Sequence, residues 1–392
     1  MTLEPNQGDY LSQPESSHKP KGRLTLVINK VSAGGAQRVL TLLANELCEK
    51  GWSVTLLTLD SGREPVFFKL HPRVQHWPLS LMRKQESFWK AVRIFLSRPF
   101  LLRCAIKKSK PDAVISFVEL MNILTIVASV GLKTPIIVSE RGNPFFSPMG
   151  RLWSFFRQEC YKRAACLVVQ TQGALSFFSA SVQENSRVIP NPVLVPDYLT
   201  SSKKSETSSK TLVAIGRLSM EKGFDLLLMA FAPLAKKFPD WMLDIIGDGL
   251  EREALESLCD ELGLKGRVQF SGLTKEHYQV LSRADIFVLP SRHEGFPNVL
   301  GEAMACGLPV VSFNCPYGPS EMIHDEVNGL LVPCENILEL SCSLEKLMIS
   351  AELRKNLGKK AMKITERYSL ERISQTWEDL VSNLISCPSI KR

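Results

Sequence analysis

The sequence predicts an α/β protein of two consecutive domains, each built on a parallel sheet. Short apolar runs rich in β-branched residues alternate with amphipathic stretches, such as residues 36–50, along most of the 392 residues. This rhythm is typical of βαβ units in doubly wound sheets. It occurs twice, and a polar low-complexity run at 201–210 separates the two series. A chain of this length has room for two domains of ordinary size.

Apolar runs predict the individual strands. Those of the first domain fall at residues 24–28, 54–59, 113–117, 136–139, 167–169 and 187–189. Those of the second fall at residues 212–215, 243–246, 268–270, 286–289, 310–313 and 330–332. The chain from residue 337 onward is predicted to be helical, ending in a helix over 369–386. We therefore expect a disordered tail at 1–22, a first domain at 23–195, a linker at 196–210, a second domain at 211–374 and a C-terminal helix at 375–392.

The composition, with 44% hydrophobic and 22% charged residues, is that of a soluble globular protein. Residues 1–22 are polar and lack the apolar centre of a signal peptide. The longest apolar run, 120–132, contains Asn122 and is too short to span a bilayer. The 10 cysteines show no C-x-x-C pair and no zinc-like spacing, so we expect reduced thiols in a cytosolic protein.

The net charge of +8 is unevenly distributed. Residues 1–200 carry 25 Lys and Arg against 14 Asp and Glu, whereas residues 201–392 carry 23 against 26. Nine basic residues lie between Leu81 and Lys110, interleaved with aromatic and aliphatic side chains and accompanied by one acid, Glu86. Such a segment suits the headgroup layer of an anionic membrane; the alternative is a core helix with a solvated basic face. No nucleic-acid motif accompanies the charge, so no nucleic-acid partner is expected.

Two glutamates, Glu294 and Glu302, lie eight residues apart across a predicted strand–loop–helix junction. The strand is 286–289, and the helix is predicted over 297–306. Glu294 then lies in the loop before the helix, and Glu302 lies about a turn and a half along it. Unpaired backbone N–H groups at a helix start favour phosphate binding. The residues predicted at this start are Phe296, Pro297, Asn298 and Val299.

This frame resembles the E-x7-E signature of the family-4 (group 1) retaining glycosyltransferases. Members of that family have the GT-B fold, in which two Rossmann-like domains face each other across a cleft and the last helix crosses back to the first domain. The resemblance implies that Glu294 contacts sugar hydroxyls of a nucleotide-sugar donor and that Glu302 contacts its ribose. It covers nearly the whole chain from residue 23, and the region of Trp377 is the candidate for the returning helix.

A second motif runs from Gly216 to Gly223, after the predicted strand at 212–215. It resembles the family's G-R-x-x-x-x-K-G element, which implies that Gly216, Arg217 and Lys222 bind the donor diphosphate. Fixed cations stabilise the charge of a departing nucleoside diphosphate without a metal. A structural ion-pair role for Lys222 is the alternative. The chain has no D-x-D, so we expect no metal and no cofactor besides the nucleotide-sugar co-substrate.

Two glycine pairs follow strands. Gly34 and Gly35 open a helix after the first strand, and Gly247 and Gly249 follow the strand at 243–246. The lack of a Cβ lets a phosphate approach the backbone, although a plain βα turn also requires glycine. The resemblance places both pairs near the donor or, for the first, the acceptor. Arg38 is a weaker candidate on the acceptor side, or only a surface charge.

Acceptor-side candidates follow strands of the first domain, at the edge where ligands of α/β sheets collect. The trio Ser-Glu-Arg at 139–141 resembles a cleft segment of polysaccharide and N-glycan transferases. Either Glu140 or Arg141 orients the acceptor hydroxyl, or the two pair with each other. Other members of the family carry a histidine near the donor sugar in this domain, but none can be assigned in the region of Phe117. His293 is expected to be a packing or rim residue. The acceptor-side candidates are Glu119, Asn122, Glu140 and Arg141.

The resemblance implies transfer of a hexose or N-acetylhexosamine, with retention, to a lipid-linked or envelope glycan in polysaccharide or lipopolysaccharide synthesis. The C-P-x-G-P segment at 315–319 resembles enzymes that use UDP-sugars. The expected location is the cytoplasmic face of the membrane. Two alternatives are a UDP-sugar epimerase of the same architecture and a noncatalytic membrane-docked partner in glycan assembly. The presence of Glu294, Glu302, Arg217 and Lys222 argues against the noncatalytic alternative.

Overall fold

The computed structural model describes residues 20–32, 34–82, 88–146, 150–194, 210–274 and 276–386. The predicted tail at 1–22 and linker at 196–210 lie almost entirely outside these residues. Within them, the chain forms two parallel sheets, each covered by helices, as the sequence predicts.

The first sheet has strands β1 Arg23–Ile28, β2 Ser53–Thr58, β3 Gln75–Pro78, β4 Ala113–Phe117, β5 Ile136–Ser139, β6 Cys166–Val169 and β7 Ser186–Val188. Their spatial order is β3-β2-β1-β4-β5-β6-β7, and all neighbours are parallel. The six predicted strands are confirmed to within about one residue, and β3 was missed. It is an edge strand of mixed polarity that ends in proline, so it lacks the apolar run of a central strand.

The second sheet has strands β8 Lys210–Ile215, β9 Trp241–Ile246, β10 Val268–Gly272, β11 Ile286–Leu289, β12 Val310–Asn314 and β13 Leu330–Pro333. Their order is β10-β9-β8-β11-β12-β13, again with parallel neighbours. All six were predicted. Continuous burial of strands such as β11 is expected of a parallel sheet that helices cover on both faces.

Helices connect the strands. Those of the first domain are α1 Gly35–Glu49, α2 Phe88–Ser109, α3 Glu119–Ala128, α4 Arg151–Tyr161, α5 Gln172–Leu175 and α6 Ala180–Gln183. Those that follow are α7 Phe224–Lys237, α8 Arg252–Glu261, α9 His277–Arg283, α10 Asn298–Ala305, α11 Pro319–Met322, α12 Ile337–Ile349, α13 Ala351–Ala361, α14 Ile364–Arg367 and α15 Leu370–Ser386. Short 3₁₀ turns cover Pro144–Phe146 and Met220–Lys222. None of the helices described is long and apolar enough to cross a membrane.

The last helix, α15, crosses back to the first domain, as the resemblance implies. Trp377 is fully buried, and its ring lies 5.9 Å from that of Phe117 at the end of β4. Glu378 accepts hydrogen bonds from Trp52 Nε1 at 3.0 Å and from Lys21 Nζ at 2.7 Å. Apolar burial and a half-buried ion pair therefore attach α15 to the first domain.

A hydrophobic cluster joins the two domains beside the cleft. It contains residues of α1 and the end of the first domain together with residues of α10, α14 and α15. Val193 donates its backbone N–H to the carbonyl of Tyr368 at 2.8 Å. A Cβ on Gly301 would lie only 2.7 Å from Val193 Cγ2, so α10 packs directly against the end of the first domain. The two domains are therefore packed against each other along one side of the cleft.

Candidate active site

A cavity of about 440 Å³ lies between the domains. One wall comes from segments that follow β1, β4 and β5, and the other from segments that follow β8 and β11. These are the carboxyl ends of both sheets, where open α/β sheets collect ligands. The lining includes the side chains of Gln37, Glu119, Glu140, Arg141, Arg157, Lys222, His293 and Glu294. Five side chains that the sequence singled out therefore share one cavity.

Glu294 and Lys222 form an ion pair on the second-domain wall. Lys222 Nζ lies 2.7 Å from Glu294 Oε1, and Ser291 Oγ donates to the same oxygen at 2.7 Å. Glu294 is buried, and Asn143 of the first domain donates to its backbone carbonyl at 2.9 Å. The second domain therefore holds the carboxylate of Glu294, and the first domain holds its backbone.

Arg292, which no sequence motif marks, stabilises the turn that carries Lys222. Its guanidinium donates to both carboxylate oxygens of Asp225, at 2.9 and 2.6 Å, and to the carbonyl of Met220 at 2.6 Å. Burial would raise the pKa of Asp225, but the hydrogen bonds and charge of Arg292 outweigh burial and lower it. A bidentate arginine–carboxylate pair has fixed geometry, so the β11 loop and the Met220–Lys222 turn are held together.

The glycines of the second domain relieve backbone crowding. A Cβ on Gly247 would lie 1.8 Å from the carbonyl oxygen of Gly216, and one on Gly249 would lie 2.2 Å from that of Leu218. These contacts account for the glycines by packing alone. The structure places them, with Gly216 and the exposed Arg217, beside the cavity wall rather than among its lining residues.

Glu302 lies at the domain interface, in contact with Arg38 and His277. Arg38 of α1 donates to Glu302 Oε1, and His277 Nε2 lies 3.2 Å from the other oxygen. Burial raises the pKa of Glu302, but the neighbouring His277 and Arg38 outweigh it, so the pKa lies below its ordinary value. Arg38 also donates to Tyr278 Oη at 3.1 Å. Arg38 was an acceptor-side candidate, but the structure places it against the donor-side glutamate.

The start of α10 contacts the first domain. The helix begins at Asn298, one residue later than predicted, and Pro297 caps it. Asn298 donates its backbone N–H to Phe296 at 2.9 Å, so this predicted free donor is engaged. Its side-chain Oδ1 accepts from Asn191 at 2.7 Å, and a Cβ on Gly35 would lie 3.0 Å from its Nδ2. Gly35 therefore abuts this helix start at Asn298, whereas a Cβ on Gly34 would meet the side chain of Gln37 instead.

A buried network forms the first-domain wall. Arg157 of α4 is fully buried, donates to Glu119 and lies 3.7 Å from Glu140 Oε1. Tyr161 donates to Glu140. Burial raises the pKa of Glu140 to about 7, which the charge of Arg157 only partly offsets. Asn122 lies beneath this wall and donates to Tyr161 Oη and to the carbonyl of Ser139, both at 3.0 Å.

The sequence leaves open an ion pair between Glu140 and Arg141. In the structure, Arg141 does not pair with Glu140. Its guanidinium lies 4.1 Å above the ring of Phe117 and 5.6 Å from that of Trp377, and it donates to Asn191 Oδ1 at 2.7 Å. Burial lowers its pKa to about 9, so it remains a cation at neutral pH. The bond to Asn191 links Arg141 to the start of α10.

Aromatic stacking closes the rim. The ring of His293 stacks on Phe146 of the first domain, with centroids 4.1 Å apart and planes at 4°. Phe145 stacks on Tyr317 at 5.2 Å. His293 is a rim residue, as the sequence analysis expects. Val118 lines the same cavity with φ 76°, a conformation that costs a β-branched residue about 1–3 kcal/mol.

No sequence pattern marks three of these site residues, because each is an ordinary ionisable residue on a helix or in a loop: Arg157, Arg292 and His277. Arg157 stands in an amphipathic helix with no motif around it. Arg292 and His277 are recognisable only through the carboxylates that they contact. Among the described residues, no cluster of three or more His, Cys, Asp and Glu side chains is placed to hold a metal ion.

Comparison with known families identifies both domains. Residues 199–364 match the family described as glycosyl transferases group 1, and residues 34–192 match the glycosyl transferase 4-like domain. A glycosyltransferase of Haemophilus influenzae is 30% identical over 367 residues, which cover 91% of this chain and 98% of that protein. An alpha-1,4-N-acetyl-D-galactosaminyltransferase of Campylobacter jejuni, named for a GalNAc-containing glycan on PP-undecaprenol, is 30% identical over 364 residues, which cover 92% of this chain and 99% of that protein.

Solved structures show the same architecture. Sucrose-phosphate synthase of Thermosynechococcus elongatus superimposes with a TM-score of 0.80 at 20% identity, covering 93% of this chain and 100% of that one. Anabaena HepE in complex with UDP and glucose has a TM-score of 0.73 at 18% identity, covering 92% of this chain and 99% of that one. The family matches, the full-length relatives and the two facing parallel-sheet domains lead to one conclusion: this chain belongs to the group 1 glycosyltransferases and has the GT-B fold.

Proposed function

We propose that this glycosyltransferase moves a hexose or N-acetylhexosamine from a UDP-sugar to a lipid-linked or polysaccharide acceptor, with retention of configuration and without a metal. The observation that carries the proposal is the Lys222–Glu294 ion pair, held on the second-domain wall opposite the charged wall of the first domain. The donor binds on the second-domain side, and the acceptor enters from the first.

Lys222 stabilises the leaving group. Breaking the bond between the anomeric carbon and the phosphate oxygen leaves a nucleoside diphosphate with additional negative charge. A fixed cation in a partly desolvated site stabilises such charge more effectively than water does. Arg217, on the exposed edge of the same motif, adds a second cation when the diphosphate is bound.

Glu294 positions the sugar. A buried carboxylate fixed by Lys222 and Ser291 offers acceptor oxygens to sugar hydroxyls. In a same-face substitution the acceptor oxygen attacks the anomeric carbon as the phosphate departs. The acceptor proton then passes to the departing phosphate oxygen, which yields a glycosylated acceptor and UDP. This route requires no separate carboxylate base.

The choice of donor and acceptor rests on similar proteins. The HepE structure holds UDP and glucose, and two Campylobacter relatives are named as acting on undecaprenol diphosphate-linked glycans. The C-P-x-G-P segment adds the sequence argument for UDP.

A panel of UDP-, GDP-, ADP- and CMP-sugars tests the proposal by thermal stabilisation and by slow donor hydrolysis without acceptor. We expect a UDP-sugar to stabilise and to be hydrolysed, and Lys222→Ala to lose both responses. Lys236→Ala, an exposed lysine in α7, serves as the matched control. If no nucleotide sugar stabilises the folded protein, the transferase proposal is wrong; if only a GDP-, ADP- or CMP-sugar does, the UDP assignment is wrong.

We also propose peripheral association with an anionic membrane. Of the segment from Leu81 to Lys110, residues 83–87 and the side chains of 88–96 lie outside the description. In the remainder, Phe100 is 66% exposed, while Arg103 caps α3 by donating to the carbonyls of Ala128 and Val130. Helix α4, which carries Arg157 inward, also carries Phe155, 64% exposed. Exposed aromatic groups beside basic ones suit a lipid interface.

Flotation with vesicles tests this association. We expect the protein to float with phosphatidylglycerol vesicles at low salt and to remain unbound with phosphatidylcholine alone. A Phe100→Ser/Phe155→Ser double variant should bind more weakly, and Phe67→Ser, an exposed phenylalanine elsewhere in the first domain, should not. Equal flotation of all three proteins would contradict the proposed surface.

A further inference from the structure

Two arginines that line the cavity each leave the same guanidinium edge unpaired. Arg141 uses Nη1 for Asn191, and Arg157 uses Nη1 for Glu119. In both, Nε and Nη2 are buried and have no hydrogen-bond partner among the described residues. These two nitrogens form the side of the guanidinium that binds a carboxylate or phosphate through two parallel hydrogen bonds.

Leaving these groups unpaired is unfavourable. A buried donor without an acceptor costs roughly 1–3 kcal/mol, and more when the group is charged. Arg141 has no carboxylate within ion-pair distance among the described residues; it rests on the rings of Phe117 and Trp377. Its lowered pKa reflects this desolvation. An uncompensated buried cation in a cleft indicates an anionic ligand.

The charges in the cavity indicate where an anion other than the donor diphosphate lies. Lys222 is already paired with Glu294, and Arg157 is paired with Glu119. Arg141 is the cation left without an ionised partner among these side chains. It belongs to the first-domain wall, across the cavity from Lys222. Both arginines therefore belong to the first-domain wall, which is the proposed acceptor side, and Lys222 of the donor motif belongs to the other.

We propose that Arg141 and Arg157 form an oxyanion subsite that binds a diphosphate group of the acceptor. Each phosphoryl group would accept two hydrogen bonds from one guanidinium edge. Because both nitrogens of each edge are buried, the side chains around them must move before an anion can make these contacts. This proposal rests on the proposed function, because it assigns the acceptor side of that site and a class of acceptor.

The diphosphate of the donor is the other source of the same chemistry, and titration distinguishes the two. Inorganic pyrophosphate is titrated by calorimetry into the full-length protein saturated with UDP, so that the donor phosphate site is occupied. We expect pyrophosphate to bind the wild type, and Arg141→Gln to weaken this binding about tenfold or more. UDP affinity should stay within about twofold of wild type, because Arg141 lies outside the donor motif.

Two further variants keep the test decisive. Arg163→Gln, an exposed arginine of the same domain, removes the same charge and should leave pyrophosphate binding unchanged. Arg157→Lys retains the charge beside Glu119 but removes the planar edge, so it should also weaken pyrophosphate binding. This variant carries the test if Arg141→Gln fails to fold.

Three results would overturn the proposal. One is that pyrophosphate binds both arginine variants as tightly as it binds wild type. Another is that Arg163→Gln weakens binding as much as Arg141→Gln does, because binding would then depend only on the overall positive charge. A loss of UDP affinity in Arg141→Gln as large as in Lys222→Ala would assign the edge to the donor. Failure of UDP to bind the wild type, with pyrophosphate binding that still depends on Arg141, would instead contradict the proposed donor and leave the subsite standing.

Discussion

At the scale of single residues, ionisable side chains in the cavity and at the adjoining domain interface hold one another in place. Lys222 holds Glu294, Arg38 and His277 hold Glu302, and Arg157 holds Glu119. A carboxylate that is already held in place loses little conformational entropy when the substrate binds to it. Preorganisation of this kind supplies much of an enzyme's rate enhancement.

Glu294→Gln should reduce kcat by roughly 10² to 10³-fold, because it removes a preorganised charged group beside the reacting sugar. Binding of UDP alone should change little, since the diphosphate contacts are assigned to Lys222 and Arg217. Steady-state kinetics and UDP calorimetry measure the two effects separately. Glu261→Gln, an exposed glutamate of the same domain, is the control. Unchanged kcat in a folded Glu294→Gln protein would refute its role.

Glu140 should make stability depend on pH. Its pKa of about 7 in the folded protein lies above the ordinary value of 4.5 because burial disfavours the charged form. The folded state therefore holds its proton more tightly, and the associated stability is present below about pH 4.5 and lost as pH rises through about 7. Urea unfolding from pH 5 to 8 should show wild type losing stability relative to Glu140→Gln, by on the order of 1–3 kcal/mol.

Glu159→Gln, an exposed carboxyl on the same helix as Arg157, should follow wild type across this range. A difference between wild type and Glu140→Gln that does not vary with pH would show that Glu140 is ionised throughout.

At the scale of elements, the turn Met220–Lys222 and the loop after β11 act as one unit. Arg292 donates to Met220 and Asp225, and its own N–H donates to the carbonyl of Glu221 at 2.9 Å. Gly223 completes the turn with φ 64°, and a Cβ there would lie 2.0 Å from the carbonyl oxygen of Pro290. The geometry of Lys222 therefore depends on close backbone contact between two loops.

Gly223→Ala should destabilise the protein by more than the conformational cost alone. Gly263 supplies a matched control, because it has φ 69° and nothing within 4 Å of an added Cβ. Gly263→Ala should cost about 1–2 kcal/mol, the usual penalty for a left-handed L-residue. Gly223→Ala adds a backbone clash and should cost several kcal/mol. Equal losses in chemical unfolding would show that the loops can separate freely.

At the scale of the whole molecule, α15 ties the two domains together beneath the cavity. Trp377 packs on Phe117, and its ring lies below Arg141. Trp377→Ala should destabilise the protein by about 3–5 kcal/mol, as expected for a large buried aromatic side chain. Thr376→Ala, exposed on the same helix, should change the free energy of unfolding by less than about 0.5 kcal/mol. A small effect of Trp377→Ala would mean that α15 is only loosely attached.

The sequence predicts the architecture well, but it predicts few of the side-chain contacts that form the site. Apolar runs with a clear period mark twelve strands, because burial in a parallel sheet requires continuous hydrophobicity. Strand β3 is not predicted, because an edge strand is partly exposed and does not need a continuous apolar run. Motifs place Glu294 and Lys222 together, but the partners Arg292, His277 and Arg157 are defined only by contacts across 67, 25 and 38 residues of sequence. Long-range pairing of single charged residues leaves no local pattern.

The crossing of α15 also matters while the protein is being made. The strand that carries Phe117 is synthesised well before α15, because Trp377 lies 260 residues further along the chain. Until then, the surface of the first domain around Phe117 and Trp52 has no cover, because its covering helix does not yet exist. Uncovered apolar surface on a nascent domain is prone to aggregation. We therefore expect chains that stop before α15 to accumulate as chaperone-bound or insoluble species, even though every strand of both sheets is already present.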